Sequence, residues 1–133
     1  MDFVANAESF ENRKVIIFGA GVGGSRALEH LLNNRNSVIG FCDSDPSKWG
    51  TRKAGYHVYR PVDIIPMEYD MVVIASIYGR DVLRTILGLG IGIERIADLP
   101  REIIDPVSSR SANGVVSVAS QILDYADRAD CFG

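Results

Sequence analysis

Cysteine is scarce: only Cys42 and Cys131 occur in the 133 residues, 89 positions apart and with no metal-ligand spacing around either. A disulfide framework and a cysteine-based metal site are therefore not written into the chain. Cys42 reads as a buried strand residue and Cys131 as a free thiol on a loose end. Lysine and arginine form no run and the net charge is −3, which argues against nucleic acid and gives no support for an anionic membrane surface as partner. No segment reaches the roughly 18 consecutive apolar residues that would cross a bilayer. The opening stretch MDFVANAESFENR lacks the apolar centre of a secretory signal, so the cytoplasm is the expected location. With 47% hydrophobic and 23% charged residues, the chain is ordinary for a soluble domain and long enough to bury one core.

Against these absences stands one dense feature. Residues 14–24 read KVIIFGAGVGG, an apolar strand running into a Gly-x-Gly-x-x-Gly turn at Gly19, Gly21 and Gly24 that opens a helical pattern. Each glycine has its own reason. Gly19 allows the tight turn, Gly21 lets a pyrophosphate approach the backbone, and Gly24 lets the helix pack closely on the sheet. The amides of Ala20, Val22 and Gly23 complete the turn, and the positive end of the helix dipole faces an anion. A second short apolar run, Val38 to Cys42, ends at Asp43, which lies 19 residues beyond Gly24. That matches the roughly 20 residues expected before a carboxylate that binds a ribose 2′-hydroxyl. A carboxylate there favours NAD over NADP. The alternative is that Asp43 to Pro46 are turn chemistry alone, with Asp45-Pro46-Ser47-Lys48 starting a short helical turn.

Apolar and amphipathic runs alternate through residues 14–97, predicting repeated strand-helix units and an α/β, three-layer, doubly wound parallel sheet. Ala27, Leu28, Leu31 and Leu32 predict one buried helix face and Val82, Leu83, Ile86 and Leu87 another. His30 is expected to point to solvent, and Asn33 and Asn34 to stop the first helix. Tyr56 to Tyr59 reads as a short edge strand, with a helical turn between Pro61 and Pro66. Met71 to Ala75 and Ile93 to Ala97 are the remaining strands, and Gly88 to Gly92 a helix stop. Right-handed crossovers would gather Gly19 to Gly24, Asp43 and Ser76 to Arg80 at one edge. Ser76 and Tyr78 would touch a ligand there, and Arg80 a phosphate. Beyond Pro100 the pattern decays. Residues 1–106 are the expected nucleotide-binding domain, and 107–133 a Ser-rich linker with a helix over Val115 to Arg128 or a tail.

Catalytic groups are harder to find. The Tyr with Lys four residues later that serves short-chain dehydrogenases is absent; no Ser-His-Asp order and no clustered metal ligands appear. His57 reads as a surface-loop residue.

The strings KVIIFGAGVGG, VIGFCDSDPSKWG, AGYHVYRPVDI and YDMVVIAS resemble the Rossmann-type nucleotide-binding domain that precedes the catalytic part of bacterial polysaccharide-biosynthesis sugar-nucleotide dehydratases and epimerases. They also resemble the amino-terminal, CoA-binding-like domain of nucleotide-sugar acetyltransferases. The resemblance covers about residues 13–97 and implies a domain that binds a nucleotide or nucleotide sugar and leaves chemistry to an attached domain. Three readings stay open. One is a stand-alone module for NAD or a nucleotide sugar, with CoA as a further candidate, working with a separate catalytic subunit or as a homo-oligomer. The second is an NAD-dependent nucleotide-sugar oxidoreductase or epimerase using His57 or Tyr78. The third is an interaction protein without ligand.

Overall fold

A computed structural model describes residues 4–105; the linker and helix expected over 107–133, and Cys131, lie outside the described residues. Among the described residues there are seven strands: β1 Ala5–Asn6, β2 Lys14–Phe18, β3 Ser37–Cys42, β4 Arg52–Lys53, β5 Tyr56–Tyr59, β6 Met71–Ile74 and β7 Ile96–Asp98. The helices are α1 Val22–Asn33, α2 Gly79–Gly88 and the short α3 Arg101–Ile104. The strands form one sheet in the order β1-β7-β6-β2-β3-β5-β4, parallel throughout except at β4–β5. This is the expected doubly wound, Rossmann-like α/β architecture.

Strand β2 shows why a continuous apolar run is needed at the centre. Its side chains alternate between faces, and both faces are covered: Val15 and Ile17 join Ala27, Leu28 and Leu31 of α1, while Ile16 and Phe18 join Leu83 and Ile86 of α2. Strand β6 divides its residues in the same way, Val73 to one side and Val72 and Ile74 to the other. Each buried Val, Leu, Ile or Phe side chain contributes roughly 1.5–3 kcal/mol of transfer free energy.

Several expectations need correction. The buried stripe of α1 is Gly24, Ala27, Leu28 and Leu31, so its centre lies earlier than expected and Leu32 is left 43% exposed. On α2, Leu83 and Ile86 carry the contact and Leu87 is 40% exposed. His30 is half-buried: its Nε2 lies 2.8 Å from the Glu8 carbonyl and 3.1 Å from Asn34 Nδ2, tying the amino-terminal segment to α1. The last core strand begins later, at Ile96, because Ile93–Arg95 forms a 3-10 turn after Gly90 at φ +90°. Strand β5 is not the edge, since β4 pairs antiparallel outside it. Besides β4, two elements were not anticipated. The residues after Pro100 form α3, whose Ile104 packs into the α1 side of the core, and Ala5–Asn6 adds a strand beside β7.

Asn36 seals the base of α1. Its Nδ2 donates to the carbonyls of Phe10 at 2.7 Å and Leu31 at 3.0 Å, and its Oδ1 accepts from the Arg13 amide at 3.2 Å.

Candidate functional site

The carboxyl ends of the central strands are level, with Phe18 paired to both Cys42 and Ile74, and Ile74 to Asp98. The chain winds outward from β2 in one direction through β3 and in the other through β6. Their following loops therefore separate above β2, leaving the crevice where open α/β sheets bind ligands. A crevice of about 570 Å3 lies there, and Gly19, Gly21, Val22, Gly23, Asp43, Ser76 and Tyr78 all line it. These belong to the residues that right-handed crossovers are expected to gather at one edge; Ala20, Gly24 and Arg80 of that set do not line the crevice.

The glycine turn is built as its sequence implies. Gly19 has φ +126°, and its amide extends the ladder by donating to the Cys42 carbonyl at 2.8 Å. A methyl group on Gly19 or Gly23 would sit 2.6 Å from the Ala75 carbonyl oxygen. One on Gly24 would collide with the Gly19 carbonyl. Gly24 and Ala20 are both buried, and neither lines the crevice. Gly21 differs from its neighbours, because a methyl there would meet only Lys48 Nζ, at 3.7 Å. It also starts α1 without a side-chain cap, so the first-turn amides are available to an anion.

Asp43 is both a lining residue and a fastener. Its Oδ2 accepts from the Ala20 amide and its Oδ1 from the Asp45 amide, each at 2.8 Å, while its carbonyl accepts from Trp49 Nε1 at 2.7 Å. Each carboxylate oxygen retains a lone pair for a ligand hydroxyl. The next turn, Pro46–Lys48, is the one the sequence predicts, capped by Asp45. The amide and hydroxyl of Ser47 donate to the Asp45 carboxylate and hold it below the usual carboxylate range. The turn brings Lys48 Nζ to 3.9 Å from Asp43 Oδ2, inside the crevice. Sequence reasoning passed over Lys48. The available signal was the Asp-Pro helical turn itself, which marks Lys48 as a turn residue close to Asp43.

The loop after β6 divides the crevice from a second cleft of about 700 Å3 at the ends of β6 and β7. Ser76 Oγ accepts from the Tyr78 amide at 3.0 Å, and Tyr78 is 67% exposed between the two. Arg80 lines the second cleft rather than the glycine crevice. Asp98 lines it too, and partial desolvation pushes its carboxyl upward. His57 lies on β5, not in a loop, with its ring 4.4 Å from that of Tyr59, and it lines neither cleft.

Comparison with known proteins gives a family and a fold. The family described as C2185-like, N-terminal matches residues 11–97. No curated protein matches the chain. Among solved structures, UDP-D-quinovosamine 4-dehydrogenase from Vibrio fischeri is 24% identical, with a TM-score of 0.54 over 82% of this chain and 97% of that one. RSP in complex with β-NADH is 15% identical, with a TM-score of 0.50 over 77% of this chain and 60% of that one. At such identities the likeness establishes a common Rossmann-like fold.

Proposed function

We propose, for a chain that belongs to the C2185-like, N-terminal family, that the crevice over β2 binds a nucleotide, NAD or a nucleotide sugar, and that the domain serves sugar-nucleotide or polysaccharide biosynthesis by holding that ligand. The observation that carries this reading is the convergence of the glycine turn, the uncapped start of α1 and Asp43 at the sheet's switch point. Phosphate oxygens would meet the first-turn amides and ribose hydroxyls the remaining lone pairs of Asp43. The fold shared with a sugar-nucleotide dehydrogenase and with an NADH-bound protein is consistent with that ligand class.

Binding is favoured over catalysis by the position of His57, whose ring lies against Tyr59 at a tilt of 51° and does not line the crevice, which leaves Tyr78 as the remaining acid or base of the enzymatic alternative. Thermal shift against NAD, NADP, CoA and UDP-sugars tests the reading. A ligand at 100 times its dissociation constant adds about 2.7 kcal/mol of stability. No shift with any of them would remove it.

A further inference from the structure

Lys48 is the sole lysine or arginine among the described residues lining the glycine crevice, which also carries the carboxylates of Asp43, Asp45 and Asp105. Resting on the nucleotide-binding reading above, we propose that Lys48 is a diphosphate clamp, its ammonium closing over the glycine turn onto the diphosphate of a bound nucleotide.

Position is the first argument. Gly19, Gly23 and Gly24 each face backbone at close range, whereas Gly21 faces Lys48 across a gap. The ammonium thus stands over the one glycine of the turn at which a ligand has room to approach. Availability is the second. At 3.9 Å from Asp43 Oδ2, the ammonium is beyond hydrogen-bond distance, so its donors are not spent on that carboxylate.

Preorganisation is the third argument. The backbone amide of Lys48 donates to the Asp45 carbonyl at 3.0 Å, and its carbonyl accepts from the Thr51 hydroxyl at 2.5 Å. Trp49 Nε1 anchors the same turn to the Asp43 carbonyl. With the backbone fixed on both sides of Lys48, only its side-chain rotamers remain to be ordered on binding. Charge balance points the same way: Asp105 is paired with Arg101 at 3.8 Å, but Asp43 and Asp45 remain beside the turn, and without Lys48 they would repel a diphosphate that carries about two negative charges. The rival role, a partly exposed ion pair with Asp43, contributes little to stability.

The test uses the full chain and isothermal titration with UDP and NAD, comparing wild type with Lys48→Met and Lys48→Arg, alongside the melting temperature of each protein without ligand. Lys48→Met is expected to weaken both ligands on the order of ten- to a hundredfold, and Lys48→Arg to retain most of the affinity. Ligand-free melting should stay within about 2 °C of wild type, and added salt should weaken wild-type binding more than that of Lys48→Met. Unchanged affinity in Lys48→Met overturns the clamp while leaving the nucleotide site standing. A loss matched by a large fall in ligand-free melting temperature also overturns it, by making Lys48 a structural residue. Failure of the wild type to bind either compound removes the functional reading and the clamp with it.

Discussion

The backbone amide of Ala20 donates to the carboxylate of Asp43 at 2.8 Å, joining the glycine turn after β2 to the end of β3. The same carboxylate holds the Asp45 amide, so one side chain fixes the glycine turn and the loop after β3, two of the segments that line the ligand crevice.

Asp43→Ala is therefore expected to act on stability and binding together. Loss of two hydrogen bonds to a charged acceptor should cost about 1.5–3 kcal/mol each, read as a shift in the chemical denaturation midpoint. Asp43→Asn, which keeps one side-chain acceptor, should fall between. NAD affinity should drop more than CoA affinity; equal losses would make Asp43 a fastener of the turns and nothing more.

Glycine substitutions separate folding from binding. Gly23→Ala places a methyl 2.6 Å from the Ala75 carbonyl oxygen, and the forced shift should cost about 1–3 kcal/mol. Gly21→Ala meets only Lys48 Nζ, at 3.7 Å, so its melting temperature should match wild type. Its nucleotide affinity should nevertheless fall, because the methyl stands where a phosphate approaches. Wild-type affinity in Gly21→Ala would move the phosphate elsewhere.

Cys42 is wholly buried, and desolvation, helped by Asp43 and Asp63, pushes its thiol from 9.0 up to about 12. The sign follows directly. Below pH 9 both folded and unfolded chains hold the proton and the stabilisation is fully present; between pH 9 and about 12 the unfolded chain ionises first and stability is lost. The slope from this group is at most about 1.4 kcal/mol per pH unit. In a Cys131→Ser background, Cys42→Ala should flatten that alkaline decline in urea melts. The same background should resist a thiol reagent at pH 8 until denaturant is added.

Asn36 is 5% exposed and satisfies three backbone groups at once. Asn36→Ala takes this partner from the Phe10 carbonyl and the Arg13 amide, while the Leu31 carbonyl keeps the backbone amides of Asn34 and Asn36, and unfolding free energy should fall by about 1–3 kcal/mol for each of the first two that water does not reach. Nucleotide affinity should be unchanged, since Asn36 lies at the far end of α1 from the crevice. A large binding defect would mean that α1 transmits strain along its length.

The parts legible in the sequence were those whose cause is local. KVIIF and MVVI are central strands with both faces buried, and Gly19, Gly23 and Gly24 of the turn sit where a Cβ would strike backbone. Asp43 followed from spacing along one strand-helix-strand unit. What escaped was determined by distant chain. Ala5–Asn6 and Arg52–Lys53 are strands because of what lies beside them, and two residues carry no periodicity. Ile104 seemed part of a decaying tail, yet its Cβ stands 3.5 Å from where a methyl on Gly23 would be. Lys48 was visible as a member of a turn, but the direction of that turn belongs to the tertiary structure.

The two outermost strands of the sheet, β1 and β4, have two residues each. The ladder offered to any passing extended chain is correspondingly narrow at both rims, too short to template the cross-strand growth that leads to fibres. Copies of these described residues would meet through side chains and helix faces, because the sheet gives them almost no edge on which to continue.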